Sequence, residues 1–477
     1  MKRIKMNNTI EDIFNRFLDF EEEHKLFEKE IRGFTFWSHI RFDVYKTILI
    51  QTGLGSENAN NQLSTVKKIS TKNLWLGIVK SPLFILKKKK YLIVNSVRRN
   101  LERGKYKCIY TDFLTDVFDG ETQSIEMRNS SAYQTPAYSE NIKYTDGFEL
   151  LAGVYLRLLQ KTTKITESEI KDLKKICDNI PLEFGINSSY LLNRFFDAYL
   201  FYKSRKPFYN LILNRGKPRK LFLMSSYTHL NHLLIYLAQK KGIEVVELQH
   251  GTMGKMHIGY NTKYKKHVMG MPDKMLLFGE FWKNNISLPI PKQNLIVGGF
   301  NQLNQDLEKY STISRKEKDG TKTILILSQW TISKEIIDFS IDLADKLSSK
   351  DYQIKLRFHP SEYKDWQKNF PQLIKTKVIV NDNPKIGLYE NFSEADIVVG
   401  CYSTALYEAI AFKKRTFILA VKGFENYISD LYENNFAIKI ESPKELVDAL
   451  EKEARTTTTS TKEMWLPKGE FNYKYFE

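Results

Sequence analysis

LFLMSSYTHLNHLLIYLAQKKGIEVVELQHG, residues 221–251, is the stretch that decides the fold. Its first six residues are an apolar run closed by two serines, the pattern of a buried strand. His229–Lys241 then carries apolar residues at helical spacing, and IEVVEL (243–248) is a second buried run ending at Gln249-His250-Gly251. Strand, helix and strand in immediate succession make a βαβ unit, which implies a parallel sheet covered on both faces.

The alternation extends outward from there. KMLLFG (274–279) and LIVGG (295–299) read as further strands. Upstream, YLIVNS (91–96) and KCIYTDFL (107–114) read as buried strands with polar side chains at their carboxyl ends. Residues 121–140 form a polar loop, followed by helical periods through 150–159 and 190–202. The polar segment 304–321 reads as an interdomain linker. After it TILILS (323–328), YQIKLRF (352–358), KVIVN (377–381), ADIVVG (395–400), RTFILAV (415–421) and FAIKI (436–440) alternate with helical segments. One of these segments is a short helix over 384–391. Residues 1–90 read as helical, with apolar residues such as Ile10, Ile13, Phe14 and Phe17 on one face. The expectation is an α/β chain of two tandem Rossmann-like domains, 91–305 and 306–454. A helical N-terminal extension over 1–90 precedes them, and a tail over 455–477 folds back on the first domain. Ligands of such sheets bind beyond the carboxyl ends of the strands, so a cleft between the domains is the expected site.

Composition narrows the function. The chain has 477 residues, 42% hydrophobic and 27% charged, which suits globular domains with sizeable cores. Seventy-three Lys and Arg stand against 56 Asp and Glu, a formal charge of +17. That surplus points to a polyanion: nucleic acid, a phosphate-rich membrane surface or an anionic substrate. The lysines are dispersed among acids and no RNA-module signature occurs, so no nucleic-acid partner is expected. The three cysteines, Cys108, Cys177 and Cys401, form no CxxC and suit a reducing cytoplasm. No apolar window is long enough to span a membrane, and the basic start lacks a signal-type apolar run. LWLGIVKSPLFILKKKK (74–90) comes nearest. It reads as a buried helix and loop before a solvated lysine run, or as a peripheral contact with anionic lipid.

Several polar residues stand where chemistry is expected. His359-Pro360 follows a strand directly and can donate to a phosphate or act as an acid, with Arg357 on the same strand face as a second anion contact. Gly400-Cys401-Tyr402-Ser403-Thr404 joins a strand to a helix, so Ser403, Thr404 and the backbone N–H groups make an anion site. Glu408, one turn into that helix, suits the paired hydroxyls of a ribose or serves as an ordinary helix carboxylate. In the first half His250 ends a strand before Gly251, with an ordinary pKa suited to a general base. Asp112, Asp116 and Asp119, near another first-domain strand end, are alternative bases or solvated loop acids. Lys255 and Arg98 are candidate contacts to an anionic acceptor. No GxxxxGK[ST] and no GxGxxG after a strand occurs. His229 and His232 lack a third metal ligand in the sequence, and Asp382-Asn383 is the nearest shape to a DxD motif. No metal motif stands in a convincing place.

The pair His359-Pro360 and Ser403-Thr404 resembles the His-Pro and Ser-Ser/Thr motifs of bacterial sialyltransferases and polysialyltransferases. With His250-Gly251 the set also resembles CDP-glycerol glycerophosphotransferases of teichoic acid synthesis and capsule transferases that use CMP-Kdo. The chain thus looks like a bacterial GT-B glycosyltransferase of surface-polysaccharide assembly. The resemblance covers about residues 221–450. The paired acidic motif of the sialyltransferases is missing, since Phe118-Asp119-Gly120 holds one acid. The resemblance implies a nucleotide-sugar donor, cytidine favoured, gripped by the second domain, and a polysaccharide or lipid-linked acceptor. GT-B enzymes stabilise the leaving phosphate with helix N-termini and cationic side chains, so the resemblance implies no essential metal or cofactor. The cysteines and the 74–90 stretch add the expectation of a cytoplasmic enzyme, peripheral on the inner face of the membrane where that stretch meets lipid. Polyol-phosphate transfer, a UDP-N-acetylglucosamine 2-epimerase-type reaction and a basic membrane- or nucleic-acid-binding protein are the alternatives.

Overall fold

The computed structural model describes residues 9–52, 54, 71–84, 87–96, 98–127, 133–164, 166–311, 320–347, 352–363, 366–383, 386–452, 461–471 and 473–476. The first sheet contains β1 (Tyr91–Asn95), β2 (Thr122–Glu126), β3 (Lys143–Tyr144), β4 (Lys220–Leu223), β5 (Glu244–Leu248), β6 (Lys274–Leu277) and β7 (Leu295–Val297). They lie in the order β7-β6-β5-β4-β1-β2-β3, every pair parallel. The second sheet contains β8 (Lys322–Leu327), β9 (Tyr352–Arg357), β10 (Ile379–Asn381), β11 (Ile397–Gly400), β12 (Arg415–Leu419) and β13 (Ile438–Ile440). Its order is β10-β9-β8-β11-β12-β13, again all parallel.

Both sheets therefore wind outward from their first strand, return, and continue on its other side. The reversal falls between β1 and β4 in one sheet and between β8 and β11 in the other. A crevice opens at such a switch point, beyond the carboxyl ends of the strands. Two sheets of this kind in tandem are the α/β, GT-B-like architecture the sequence led us to expect.

The left flank of the first sheet departs from the sequence reading. Residues 107–114 are not a sheet strand. Lys105–Cys108 pairs in a hairpin with Arg99–Glu102, and Phe113–Val117 is a short helix. The place beside β1 belongs to TQSIE of β2, read as part of a polar loop yet buried along its whole length. Two of its polar side chains are paired internally: Ser139 donates to Ser124 at 3.0 Å, and Arg99 donates to Glu126 at 2.5 Å. The polar 304–321 segment is also partly helical, within Asn301–Ser311, and residues 312–319 lie outside the described residues. In the second domain the short helix is Leu388–Glu394; the first two positions of the expected 384–391 span lie outside the described residues.

Helices at the N-terminal side pack as one body with the first sheet. Thr9 and Asp12 close a capping box on Ile10–Glu23, whose Ile10, Ile13, Phe14 and Phe17 are buried. That helix and Trp37–Gln51 share a hydrophobic core with Leu221, Leu223, Leu233 and Val245. Arg41, buried, pairs with Glu21 at 2.7 Å and locks the two helices together. Among the described residues no helix is long and apolar enough to cross a membrane.

A second core runs across the domain junction, joining Phe222, Leu276 and Trp282 to Leu325, Leu406 and Tyr407. Tyr407 donates to Asp430 at 2.7 Å, and Asn285 of the first domain donates to the same carboxylate at 2.7 Å. After the second sheet the chain returns to the first. The Leu466 N–H donates to the Phe278 carbonyl at 2.8 Å, and Trp465 stacks on Phe278. Trp465→Ala should cost roughly 3–5 kcal/mol of stability. An unchanged denaturation midpoint would show that the returning segment is not a stabilising element.

Candidate active site in the interdomain cleft

The two switch points supply the parts of the site. At the first, a cavity of about 370 Å³ is lined by Asn95 and Ser96 after β1 and by Met224, Ser225, Thr228 and His229 after β4. Ser225 holds φ at +53°, left-handed backbone for a residue with a Cβ, a conformation that clusters at functional positions. That turn aims Oγ of Ser225 at Nε2 of His250, 2.9 Å away.

His250 sits in a web of hydroxyls. Tyr260 donates to Glu247 at 2.7 Å, which leaves its oxygen free to accept from His250 Nδ1, 3.4 Å away. With the proton on Nδ1, the lone pair of Nε2 faces Ser225. Burial pushes the imidazole down to about 3, with His257 and Arg98 adding to the effect. This corrects the expectation that His250 works from an ordinary pKa: in this state it is neutral and weakly basic.

The second switch point meets the first directly. Thr404 at the start of its helix lies 2.7 Å, oxygen to oxygen, from Thr252, and the Thr252 N–H reaches the same oxygen at 3.3 Å. Ser403 caps the helix by accepting from the Ala405 N–H at 3.2 Å. The strand–Gly–Ser–Thr–helix turn and the His-Gly turn thus touch across the cleft. Glu408 lies behind Thr404, 3% exposed, and its Oε2 has no hydrogen-bond partner. Burial pushes its carboxyl up, opposed by Arg98 from the other domain and by a hydrogen bond from Tyr389. Arg98 donates to the Tyr110 hydroxyl at 2.8 Å, and its charge acts on both His250 and Glu408.

His359 occupies the carboxyl end of β9, two strands from β11 and therefore roughly 10 Å from Ser403. Its Nδ1 accepts from the Ser361 N–H at 3.3 Å, which leaves the proton on Nε2 as a donor toward solvent. Glu362, which the sequence reading did not single out, holds this turn. One oxygen accepts from the His359 N–H at 2.9 Å and the other from Ser328 at 3.1 Å, tying β9 to β8. The third-residue spacing of His359-Pro360-Ser361-Glu362 is the signal that could have revealed it.

Other expected residues are engaged elsewhere. Asp112 is fully buried, accepting from Asn95 at 2.8 Å and from the Cys108 N–H at 2.6 Å, so it braces the hairpin instead of facing an acceptor. Arg357 turns away from His359 and donates to the Ile386 carbonyl at 2.9 Å. Lys255 pairs with Glu433 at 2.9 Å, an ion pair between the domains. Pro360 is exposed beside His359. His229 does gain neighbours the sequence hid, His39 at 2.9 Å and Asp43 at 2.8 Å. Both its ring nitrogens are thereby spent on hydrogen bonds. Among the described residues no group of three such side chains is arranged to hold a metal.

No family model matches the sequence, and no curated protein matches it. Solved structures similar in fold include the UDP-GlcNAc 2-epimerase of Methanocaldococcus jannaschii. It has 11% identity and a TM-score of 0.46, over 79% of this chain and 94% of that one. The glycotransferase of kitacinnamycin has 10% identity and a TM-score of 0.42, over 76% and 89%. The wall teichoic acid polymerase TagF has 13% identity and a TM-score of 0.38, over 83% and 85%.

Depressed imidazoles leave a mark on stability. His250 and His232 are pushed by burial to about 3 and His257 to about 4, below the unfolded value of about 6.5. As pH falls below that value the unfolded chain takes up protons the folded chain refuses, so stability is lost toward acid. The drop in melting temperature between about pH 7 and pH 5 should be smaller in His250→Gln than in the wild type. Equal drops would show that His250 protonates freely in the folded state.

Proposed function

We propose that the chain is an enzyme of the glycosyltransferase type. It moves a sugar from a nucleotide-activated donor, cytidine favoured, to a hydroxyl of a polysaccharide or lipid-linked acceptor in bacterial cell-surface glycan synthesis. The observation that carries the reading is Glu408: a buried carboxylate with an unpartnered oxygen, directly behind a helix N-terminus in an interdomain cleft. Paired ribose hydroxyls would satisfy that oxygen, and the donor's phosphate would take the Ser403–Thr404 N-terminus, Arg98 and the Nε2–H of His359. The cytidine preference rests on the His-Pro and Ser-Thr motifs.

In this reading the acceptor occupies the cavity beside Ser225. There the hydroxyls and amides of Asn95, Ser96, Thr228 and Asn231 stand among apolar side chains such as Val94 and Met224, a mixture that suits a sugar's polar edge and apolar face. Its hydroxyl oxygen attacks the anomeric carbon and its proton passes to Nε2 of His250. The bond from that carbon to the donor phosphate breaks, and the nucleotide leaves with both electrons. The configuration inverts. Negative charge grows on the leaving phosphate, where the helix N-terminus, Arg98 and His359 stabilise it, so no essential metal is required. An anion bound beside Arg98 also cancels part of the field that depresses His250, making the base stronger when the donor is in place.

The test begins with thermal shifts in CMP, CDP, UMP, UDP and GDP, since a ligand of the folded state raises the melting temperature. A cytidine nucleotide should give the largest shift, and Glu408→Ala should reduce it. No shift from any nucleotide would overturn the reading, and a uridine preference would overturn the cytidine assignment. With the donor identified, His359→Ala should lower kcat/KM about 100-fold with folding intact. His250→Ala should lose kcat while keeping donor affinity. Full turnover in that variant, or a product of retained configuration, would remove the base assignment.

A further inference from the structure

Helices Thr71–Val79 and Asp146–Thr162 cross at a glycine pair. A Cβ on Gly77 would stand 2.6 Å from the Gly147 nitrogen, and one on Gly147 would stand 2.5 Å from the Gly77 carbonyl, so only glycines permit the contact. At about 100° per residue, Trp75 lies opposite Gly77, on the outer side of its helix, and Ile78 lies on the flank. By the same spacing Leu151, Val154 and Leu158 lie on the side of Asp146–Thr162 that bears Gly147. Both apolar stripes therefore face the same way, and Phe84, in the turn after the first helix, adds to them. These side chains are strongly exposed: Trp75 61%, Phe84 76%, Val154 64%. A contiguous face of this kind on a folded chain marks a contact surface.

The surrounding charge identifies its partner. Residues 71–90 and 150–164 contain Lys72, Lys80, Lys87 to Lys90, Arg157, Lys161 and Lys164, and no Asp or Glu. The acid that reaches Trp75 and Lys80 from elsewhere, Glu140, is paired with Lys105 at 3.1 Å. Lys80, Lys87 and Lys143 gather closely enough that the first two reinforce the effect of burial in pushing Lys143 down. A second copy of so basic a face would be repelled, whereas apolar anchors ringed by lysine suit an anionic surface with an apolar interior. We propose that this two-helix face docks on an anionic lipid bilayer, its apolar side chains entering the acyl boundary and its lysines resting on lipid phosphates. The lysine run had suggested lipid contact from sequence; the second helix, and the glycine crossing that aligns the two faces, come from the structure. The proposal is independent of the chemistry in the cleft.

The full chain should co-sediment with vesicles of phosphatidylcholine and phosphatidylglycerol, and much less with phosphatidylcholine alone. Leu151→Glu with Val154→Glu, or Trp75→Glu on the other helix, should weaken this binding at least about tenfold with melting temperature and nucleotide shifts unchanged. Changing Lys87 to Lys90 to Gln should weaken it about a hundredfold. Ile374→Glu, exposed on the second domain, should have no effect. Three results would overturn the proposal: no binding by the wild type, wild-type affinity in the glutamate variants, or a dimer that those variants dissociate in a chain that ignores vesicles.

Discussion

Every strand of both sheets runs parallel to its neighbours, and that constraint governs where polarity can go. Parallel strands return through crossovers that cover both faces, so the sheet interiors hold apolar side chains such as Phe222, Ile324 and Val398. Polar groups that must meet a ligand are left to the loops at the carboxyl ends. Each sheet changes winding direction once, so each offers one crevice, and the apolar junction of Trp282 and Tyr407 sets the two crevices against each other. The contact between Thr252 and Thr404 is the point where they close. Without the buried Tyr407–Asp430–Asn285 bonds behind it, that pair of hydroxyls would have little to hold it in register.

Within the closed cleft, one cation acts in two directions. Arg98 opposes protonation of His250 and favours ionisation of Glu408, though the two residues belong to different domains. The imidazole is left neutral, and the carboxylate is partly relieved of the cost of burial. An anion arriving beside Arg98 would loosen both effects together. The cleft is thus electrostatically prepared for a negatively charged guest, while the hydroxyl of Ser225 faces His250 on its other side.

The sequence made the sheets legible where hydrophobicity and spacing agreed. β4, β5, β8 and β11 are short apolar runs between helices, and each stands where the runs predicted. β2 was hidden because burial of Gln123, Ser124 and Glu126 is stabilised by partners such as Ser139 and Arg99, which composition cannot pair. The same limit applies to the site. His250, His359 and the Ser403–Thr404 turn could be located because each ends a strand. Ser225 and Tyr260 reach His250, and Glu247 reaches it through Tyr260, by contacts that depend on a left-handed turn and on a loop folding back. Asp112 and Arg357 looked available because Asn95 and the Ile386 carbonyl, partners of each, are distant in sequence.

The returning segment changes how the chain can be made. Phe222 and Phe278 belong to the first sheet, yet the rings that cover them, Phe476 and Trp465, are translated after the whole second sheet. At about 5–20 residues per second, the seam on the first domain stays open for roughly ten to thirty seconds after β7 leaves the ribosome. During that interval the second domain can complete its own fold, while the first offers an uncovered aromatic strip to any neighbouring nascent chain. The finished molecule is bracketed by that late contact. Two crossings of the covalent chain, not one, therefore connect its halves.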